Sequence, residues 1–333
     1  MKIYELHVKG LTALHPDVSE ENRGKFLGVC EDVMVEHYHS LGVDAVQLMP
    51  VFDSKESYWG YDVVSWMDLN PKYGTECEFL LMCRTLQEAG IKVIIDVVYN
   101  HTAEPIPGVR YYGWNVTGCE NTVDVKASLP IIMESIDYWM EYVDGMRFDL
   151  AGVLGREGGN FNPEARFFKE MTKHAYRGKI LIAEPYDLGE YSLGRFPKHW
   201  LELNTKIRDQ IRMQKRFLHT TFDTSKSIAF VTCHDGFTLQ DLVSYNYKHN
   251  LANGEDNRDG NNHNLSYNCG VEGFTEDPQI LAWRKARKEH MLRSHERYPG
   301  HKLILAGDEV GNSQNGNNNA WNQDNAIGWV NWS

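Results

Sequence analysis

The chain has 333 residues, of which 42% are hydrophobic and 24% charged, a composition that excludes a disordered or collagen-like protein. Its formal net charge of −12 argues against a nucleic-acid or anionic-membrane partner and is compatible with a neutral substrate. Six scattered cysteines include no C-x-x-C pair, and no apolar run approaches the ~18 residues that a membrane span needs. We therefore predict a cytoplasmic protein with reduced thiols.

Seven short apolar runs have the length of β-strands, and each ends in polar residues. Stretches with helical periodicity separate them, and this alternation predicts βαβ units and a parallel sheet. With an eighth strand expected near 201–207, we predict an α/β fold, a (β/α)8 TIM barrel with long βα loops that forms one domain over residues 1–333. The predicted strands are 3–8, 45–50, 92–98, 145–150, 180–185, 228–233 and 303–307; the predicted helices are 30–41, 75–89, 129–142, 163–176 and 278–295.

Local signals mark some of the element boundaries. Gly90 follows the helix predicted over 75–89 and is placed to be its C′ glycine. Asn162 and Pro163 resemble an N-cap followed by the first residue of a helix. The segment 246–273 is rich in Asn, Asp and Gly, so we predict a long irregular loop after the seventh strand; loops of that length are usually functional.

Ionisable and polar side chains follow four of the predicted strands. In a parallel barrel the carboxyl ends of the strands meet at one face, where the active site lies. A single Asp or Glu after a strand is more often a helix cap or a surface charge, and buried Arg–Asp pairs are often structural. Four clusters in succession favour a catalytic or formerly catalytic site. The clusters are Asp96 with Asn100 and His101, Arg147 with Asp149, Glu184, and His234 with Asp235.

Two of these carboxyl groups have the surroundings that glycoside hydrolysis requires. Arg147 and Asp149 share one face of a strand, and the nearby positive charge favours the ionised carboxylate that a nucleophile needs. Glu184 follows the apolar residues 180–183, and a less polar environment favours the protonated form of a general acid. In a retaining mechanism Asp149 attacks the anomeric carbon, while Glu184 protonates the leaving oxygen and then deprotonates water.

The runs that carry these clusters resemble, in order and in rough spacing, the four signature regions of the α-amylase superfamily of glycoside hydrolases. The resemblance implies that Asp149 is the nucleophile and Glu184 the general acid/base. It also implies that Asp235 is a third carboxylate that stabilises the transition state. The four runs are DVVYNH at 96–101, GMRFD at 145–149, AEP at 183–185 and TCHD at 232–235.

The same resemblance implies a subsite for the reacting glucose. Tyr61, in the run YWGYD at 58–62, resembles the aromatic platform of that subsite, and Trp59 is a candidate for stacking on sugar. Asp96 resembles the residue that supports the site. The further residues expected to line the subsite are His101, Arg147 and His234.

Seven runs narrow the resemblance to the bacterial glycogen debranching enzymes and isoamylases. This likeness implies cleavage of α-1,6 branch linkages in glycogen or limit dextrin, an α-glucan partner and no cofactor. Two alternatives stay open: an α-1,4-glucan hydrolase or transglycosylase with the same residues, and a non-catalytic glucan-binding barrel. The runs are YELHVKG at 4–10, HDGFTL at 234–239, DLVSYN at 241–246, ANGE at 252–255, NRDG at 257–260, AGDE at 306–309 and NGNNNA at 315–320.

Several expectations concern what the chain lacks. The family normally carries β-sandwich domains on both sides of the barrel, and we expect these flanking domains to be missing here. His15, His37 and His39 have no third ligand at a convincing spacing, so no metal site is predicted. A structural calcium near Asn100 is not expected, and no G-x-G-x-x-G motif follows a strand to indicate a nucleotide.

Overall fold

The computed structural model describes residues 1–112, 121–157, 160–173, 176–187, 190–214 and 223–333. Its longer strands are β1 Lys2–Leu6, β2 Ala45–Leu48, β3 Lys92–Val97, β4 Gly145–Phe148, β5 Ile180–Ala183, β6 Leu201–Leu203, β7 Ser227–Phe230 and β8 His301–Leu305. They form a closed parallel barrel in the order β1-β8-β7-β6-β5-β4-β3-β2, which confirms the predicted (β/α)8 fold. The strand expected near 201–207 is β6.

The helices and the short antiparallel ladders lie between these strands. The α-helices of the described segments are α1 Val8–Thr12, α2 Phe26–Val29, α3 Asp32–Ser40, α4 Glu76–Glu88, α5 Val125–Met140, α6 Ala151–Leu154, α7 Arg166–Glu170, α8 Thr205–Arg212, α9 Leu239–Leu242 and α10 Pro278–Glu296. The 3-10 helices are Glu20–Asn22, Leu251–Asn253 and Asp308–Val310. Two-residue strands pair as His101–Thr102 with Asn121–Thr122, Arg156–Glu157 with Asn160–Phe161, and Tyr186–Asp187 with Glu190–Tyr191.

Capping explains where the predicted helix boundaries hold and where they fail. Helix α4 begins at a capping box in which Thr75 accepts from the Glu78 N–H, and Gly90 follows it with φ 81°, as predicted. The prediction that Asn162 and Pro163 begin the next helix is wrong. Asn162 instead uses its side chain in a local turn, where Oδ1 accepts from the N–H of Glu164 (2.9 Å), and α7 begins three residues after Pro163.

The chain comprises two compact units, Ala45–Leu203 (the central unit) and Met1–Asp44 with Asn204–Ser333 (the terminal unit). In the central unit β4 pairs with β3 on one side and with β5 on the other, so that Asp96 lies opposite Arg147. The backbone N–H of Glu184, immediately after β5, donates to the carbonyl of Phe148 at the end of β4 (3.1 Å). The register therefore brings the ends of three neighbouring strands together.

The close approach of β4 to β5 depends on a glycine at the start of β4. A Cβ atom added at Gly145 would lie 2.3 Å from the carbonyl oxygen of Ile180 and 2.6 Å from its Cβ. Backbone atoms of a paired strand cannot move aside as a flexible side chain does, so this position excludes even a methyl group.

We expect Gly145→Ala to lower the free energy of unfolding by about 1–3 kcal/mol, the usual cost of overpacking a core. Urea denaturation followed by circular dichroism measures this loss. Gly90→Ala is the matched control, because a Cβ there has no neighbour within 4 Å and only the positive φ is disturbed. A Gly145→Ala variant as stable as the wild type would contradict this close packing of β4 against β5.

In the terminal unit β8 pairs with both β1 and β7. Glu5, which is fully buried, lies opposite Leu305 near the carboxyl end of β1. Helices α8, α9 and α10 and strand β7 contribute to one apolar core. Its buried members are Ile207, Ile211, Ala229, Val231, Phe237, Leu239, Leu242, Val243, Met291 and Tyr298.

In the described segments, no helix is both long enough and apolar enough to cross a lipid bilayer. The cysteines at positions 30, 77, 83, 233 and 269 carry free thiols, as predicted, whereas Cys119 lies outside the described residues.

Candidate active site

Arg147 is the centre of a buried charged cluster in the central unit. Its Nη1 donates to Asp96 Oδ2 (2.6 Å) and to Asp149 Oδ1 (3.2 Å), and its Nη2 lies 2.7 Å from Glu184 Oε1. Burial by itself lowers the pKa of Arg147, but the carboxylates of Asp96 and Glu184 raise it well above its usual value. One charged guanidinium therefore joins three of the predicted site residues.

Both carboxylate oxygens of Asp149 accept hydrogen bonds from buried side chains. Oδ2 accepts from Asn100 Nδ2 (2.7 Å), and Oδ1 accepts from Arg147. The next residue, Leu150, has a left-handed backbone with φ 39° and ψ 49°, a conformation that costs energy for any residue but glycine. Its N–H donates to Glu184 Oε2 (2.9 Å). A strained turn therefore links the two predicted catalytic carboxylates.

The apolar environment predicted for Glu184 is wrong. Residues 180–183 are buried or half-buried, but the Glu184 carboxylate leaves that strand and lies against Arg147 and the Leu150 N–H. An ion pair with a buried guanidinium favours the ionised form rather than the protonated acid. The residues that precede Glu184 along the chain could not reveal this contact, because Arg147 reaches it from the neighbouring strand.

Tyr61 joins the same cluster through its hydroxyl group. The hydroxyl donates to Asp96 Oδ2 (2.7 Å) and lies 3.4 Å from Arg147 Nη1. Trp59 is 8% exposed and meets the Tyr61 ring edge-on, with ring centroids 6.4 Å apart. The structure therefore places the predicted aromatic pair beside the charged cluster, with Tyr61 the more accessible of the two.

His101 lies beside Asn100, and its Nδ1 is hydrogen-bonded to the side-chain oxygen of that residue. The ring is 7% exposed, and its Nε2 has no hydrogen-bond partner among the described residues. A buried ring nitrogen without a partner costs free energy unless a ligand supplies one. Asn100 therefore orients His101 while it also holds Asp149.

His234 and Asp235, the fourth predicted cluster, lie in the terminal unit. The buried carboxylate of Glu5 accepts from the His234 backbone N–H (2.7 Å) and is hydrogen-bonded to His234 Nδ1 (2.9 Å). The Asp235 side chain is exposed, and its carbonyl accepts a weak hydrogen bond from Cys233 Sγ (3.2 Å). Glu5 was not predicted as a site residue; the available signal was a carboxylate between Tyr4 and Leu6 in a buried strand.

Asp308, in the AGDE run, fixes the segment that carries His234 and Asp235. Its Oδ1 accepts from the Leu239 N–H (2.8 Å), and its Oδ2 accepts from the Thr232 hydroxyl. Burial raises the pKa of Asp308 to about 7. One carboxylate therefore accepts hydrogen bonds from both ends of the segment between β7 and α9. This role was not predicted.

Asp241 ties the same region to the loop after β8, because it accepts from Ser313 Oγ (2.5 Å) and from the N–H of Gln314 (2.9 Å). Burial raises its pKa to about 6, whereas hydrogen bonds from these two residues act to lower it. A folded-state pKa above the unfolded value means that the folded chain binds its proton more tightly. Stability therefore falls as the pH rises from about 4 to 6.

We expect Asp241→Asn to abolish this component of the pH dependence. Relative to the wild type, the variant should gain up to about 3 kcal/mol between pH 4 and pH 7, since each unit of pKa shift is about 1.4 kcal/mol. Urea unfolding at both pH values measures the difference. Asp17→Asn, at an exposed position, serves as the control. If the stability of Asp241→Asn changed with pH in parallel with that of the wild type, the role of burial would be contradicted.

The long loop over 246–273 is irregular, as predicted, and polar contacts order it. The buried Lys248 Nζ donates to the backbone carbonyls of 258–260 at 2.6–3.2 Å. Asp259 Oδ2 accepts from the side-chain amides of Asn253 (2.7 Å) and Asn319 (2.9 Å). The loop is therefore a fixed structural element.

Two of the histidines considered for a metal site, His15 and His37, have protein partners. His37 Nε2 lies 3.0 Å from Glu309 Oε1, and His15 Nδ1 accepts from the Asp17 N–H (3.2 Å). These contacts give the imidazoles structural roles in the terminal unit.

Comparison with known proteins finds a matching family model and similar proteins over nearly the whole chain. Residues 13–108 match the family described as Alpha amylase, catalytic domain. The chain is 40% identical to the Glycogen operon protein GlgX homolog of Mycobacterium tuberculosis (strain CDC 1551 / Oshkosh), over 99% of this chain and 55% of the relative. It is 37% identical to the glycogen debranching enzyme of Klebsiella pneumoniae (strain 342), over 99% of this chain and 59% of that protein.

Solved structures show the same fold. The pullulanase of Anoxybacillus sp. LM18-11, complexed with maltotetraose, superposes with a TM-score of 0.74 at 23% identity, over 99% of this chain and 54% of that one. The chain spans a little over half the length of the relatives that it matches. In its four signature runs, its barrel and these relatives, the chain is similar to the α-amylase superfamily and, within it, to the glycogen debranching enzymes.

Proposed function

We propose that the chain is a retaining glycoside hydrolase that cleaves α-1,6-glucosidic branch linkages in glycogen or limit dextrin. The observation that carries this proposal is the Arg147 guanidinium, which contacts both Asp149 and Glu184. A shared guanidinium supports the close spacing, about 5–5.5 Å, that two carboxyl groups need for double displacement. The debranching linkage rests on the relatives named glycogen debranching enzyme and GlgX homolog.

Arg147 suits both half-reactions because it contacts both carboxyl groups. In the first, Asp149 attacks the anomeric carbon, the glycosidic bond breaks and the Glu184 proton passes to the leaving oxygen. Asp149 loses its charge as Glu184 gains one, so the total charge beside the guanidinium is unchanged. In the second, Glu184 takes a proton from water, the water oxygen attacks the anomeric carbon and Asp149 is released as a carboxylate.

The resting ion pair has a consequence for the first half-reaction. Glu184 must carry a proton to act as an acid, but Arg147 favours its ionised form. Bound substrate excludes water and places the glycosidic oxygen, a hydrogen-bond acceptor, at the acid, which favours the protonated carboxyl group.

The sugar-binding roles rest on three kinds of observation: position, contact and family resemblance. Tyr61 and His101 are supported by position, since both adjoin the charged cluster and the Nε2 of His101 is unpaired within the described structure. Asp96 supports the site by binding both Tyr61 and Arg147. Trp59 is supported by its contact with Tyr61. The roles proposed for Asp235 and His234 rest on the TCHD run and its family resemblance.

Three further properties complete the proposal. Two carboxyl groups suffice for a retaining glycosidase, so the reaction uses no cofactor. Residues 1–333 act as one catalytic domain on an α-glucan, without a nucleic-acid or membrane partner. Free thiols in the described segments support a cytoplasmic location.

The test is release of reducing sugar from phosphorylase-limited glycogen, with sizing of the released chains. Short linear chains from the wild type, and none from Asp149→Asn, support the proposal. Linear amylose is the parallel substrate, and its cleavage at a higher rate than limit dextrin would instead establish an α-1,4 hydrolase or transglycosylase. A folded wild type that binds glucan and releases nothing would be a non-catalytic binding barrel.

A further inference from the structure

Three ligand-type side chains meet in the terminal unit beside the segment that carries Asp235. Glu5 comes from β1, whereas Cys233 and His234 follow β7. Each offers one ligand atom, and all three atoms lie within 4.8 Å of one another. Glu5 and His234 are buried, and Cys233 is half-buried, so the sulfur gives a route from solvent to the group.

We propose that Glu5, Cys233 and His234 bind a thiophilic divalent cation of the Zn²⁺ type, and that this cation inhibits the enzyme. Thiolate, imidazole and carboxylate are all ligands of Zn²⁺, whereas Ca²⁺ and Mg²⁺ prefer oxygen alone. Three protein ligands leave the fourth tetrahedral position for water. This set of ligands therefore selects the class of ion.

The existing contacts are close to those that such a site needs. In a tetrahedral Zn²⁺ site, ligand atoms are separated by roughly 3.3–3.6 Å, as follows from metal–ligand distances of about 2.0–2.3 Å. Glu5 Oε1 and His234 Nδ1 already lie 2.9 Å apart around a shared proton. The cation takes the place of that proton, and rotation about the Cys233 Cα–Cβ bond closes the remaining distance. The thiol proton passes to solvent, and His234 binds as the neutral imidazole through Nδ1 with its one remaining proton on Nε2.

Inhibition follows from what the cation displaces. The Cys233 thiol gives up its hydrogen bond to the Asp235 carbonyl, and His234 Nδ1 exchanges Glu5 for the metal. Both residues adjoin Asp235, so the segment proposed to stabilise the transition state is pulled toward the ion. This inhibitory step, unlike the binding itself, rests on the proposed glycosidase function.

The binding test is titration of the full chain with Cd²⁺, a spectroscopic substitute for Zn²⁺, followed by its thiolate charge-transfer absorbance. We expect one site per chain, competed by Zn²⁺, absent in Cys233→Ala and retained in Cys77→Ser, which removes an exposed thiol. A wild type without that absorbance, or a Cys233→Ala variant that binds as tightly, would overturn the proposal. Cys233→Ser provides a second variant of closer size if Cys233→Ala does not fold.

The inhibition test measures debranching against Zn²⁺ concentration, with chelator to reverse the effect. Each variant is compared with its own rate in the absence of metal, because Cys233→Ala lacks the hydrogen bond to the Asp235 carbonyl from the outset. Cys233→Ala should need far more Zn²⁺ for half-inhibition than the wild type, by a factor above the roughly 10–100-fold that loss of a second-shell partner costs. Equal sensitivity of Cys233→Ala and wild type would overturn the inhibitory role. An inactive wild type that still shows the Cd²⁺ site would count against the glycosidase function and leave the metal site established.

Discussion

Asp149→Asn should reduce glycosidase activity to background, because the amide cannot form the glycosyl ester through which double displacement proceeds. Glu184→Gln should slow turnover of glucan by about 10²–10⁴-fold, the usual contribution of general acid–base catalysis. Both variants keep the size of the side chain and an oxygen that can face Arg147. The measurement is the initial rate of reducing-sugar release at equal concentrations of folded protein.

Azide separates the two roles. In Glu184→Ala, an aryl glycoside with a good leaving group needs no acid, so the first half-reaction proceeds and the glycosyl-enzyme accumulates. Azide needs no general base, and we expect it to restore turnover and to give a glycosyl azide of retained configuration, the product of two inversions. In Asp149→Ala, azide replaces the nucleophile itself, so one inversion gives the opposite configuration.

The outcome that would contradict these assignments is equally specific. If Glu184→Ala gave the inverted azide and Asp149→Ala the retained one, the two roles would be exchanged. Asp17→Asn, an exposed substitution, and Glu88→Gln, on the exposed side of α4, control for the loss of one charge at each residue type. Both should keep wild-type rates.

The barrel itself was predictable because its signal is local. Each strand is a short apolar run closed by polar residues, and even the weakest, β6, falls within the range predicted for it. The boundaries were predicted less well. Helix α7 is five residues long rather than fourteen, because a local turn at Asn162 competes with helix initiation, a competition that residue pattern alone does not resolve.

The candidate site was predictable in its residues but not in its contacts. Strand-end position and the signature runs selected Asp96, Arg147, Asp149 and Glu184, and the register of β3, β4 and β5 brings them together. The ion pair of Glu184 depends on the length of the Arg147 side chain and on its path between two strands. Periodicity assigns a residue to a face, whereas it does not say which partner a long side chain chooses.

Glu5, in the terminal unit, is another residue whose contacts could not be predicted from the sequence. A carboxylate inside a barrel strand looks unfavourable in the sequence, because an isolated buried charge carries a large desolvation cost. Its partners are the N–H and imidazole of His234, which are 229 residues distant in the chain. The two residues meet because β8 pairs with both β1 and β7.

Arg147→Met should have a larger effect on stability than any other substitution considered, together with loss of activity. It removes the cation but leaves Asp96, Asp149 and Glu184 close together and largely buried. Breaking a buried ion pair by removal of one partner typically costs about 3–5 kcal/mol, and here three carboxylates lose their common partner. The measurement is the free energy of unfolding in urea at pH 5 and at pH 8.

The direction of the pH dependence tests the electrostatic origin of the loss. Without the guanidinium, protonation relieves repulsion among the three carboxyl groups, so the folded variant binds more protons than its unfolded chain does. Its stability should therefore fall relative to the wild type as the pH rises from 5 to 8. A pH-independent deficit would instead indicate lost packing. Arg293→Met, which breaks an exposed pair with Glu289, should change stability by less than about 1 kcal/mol at either pH.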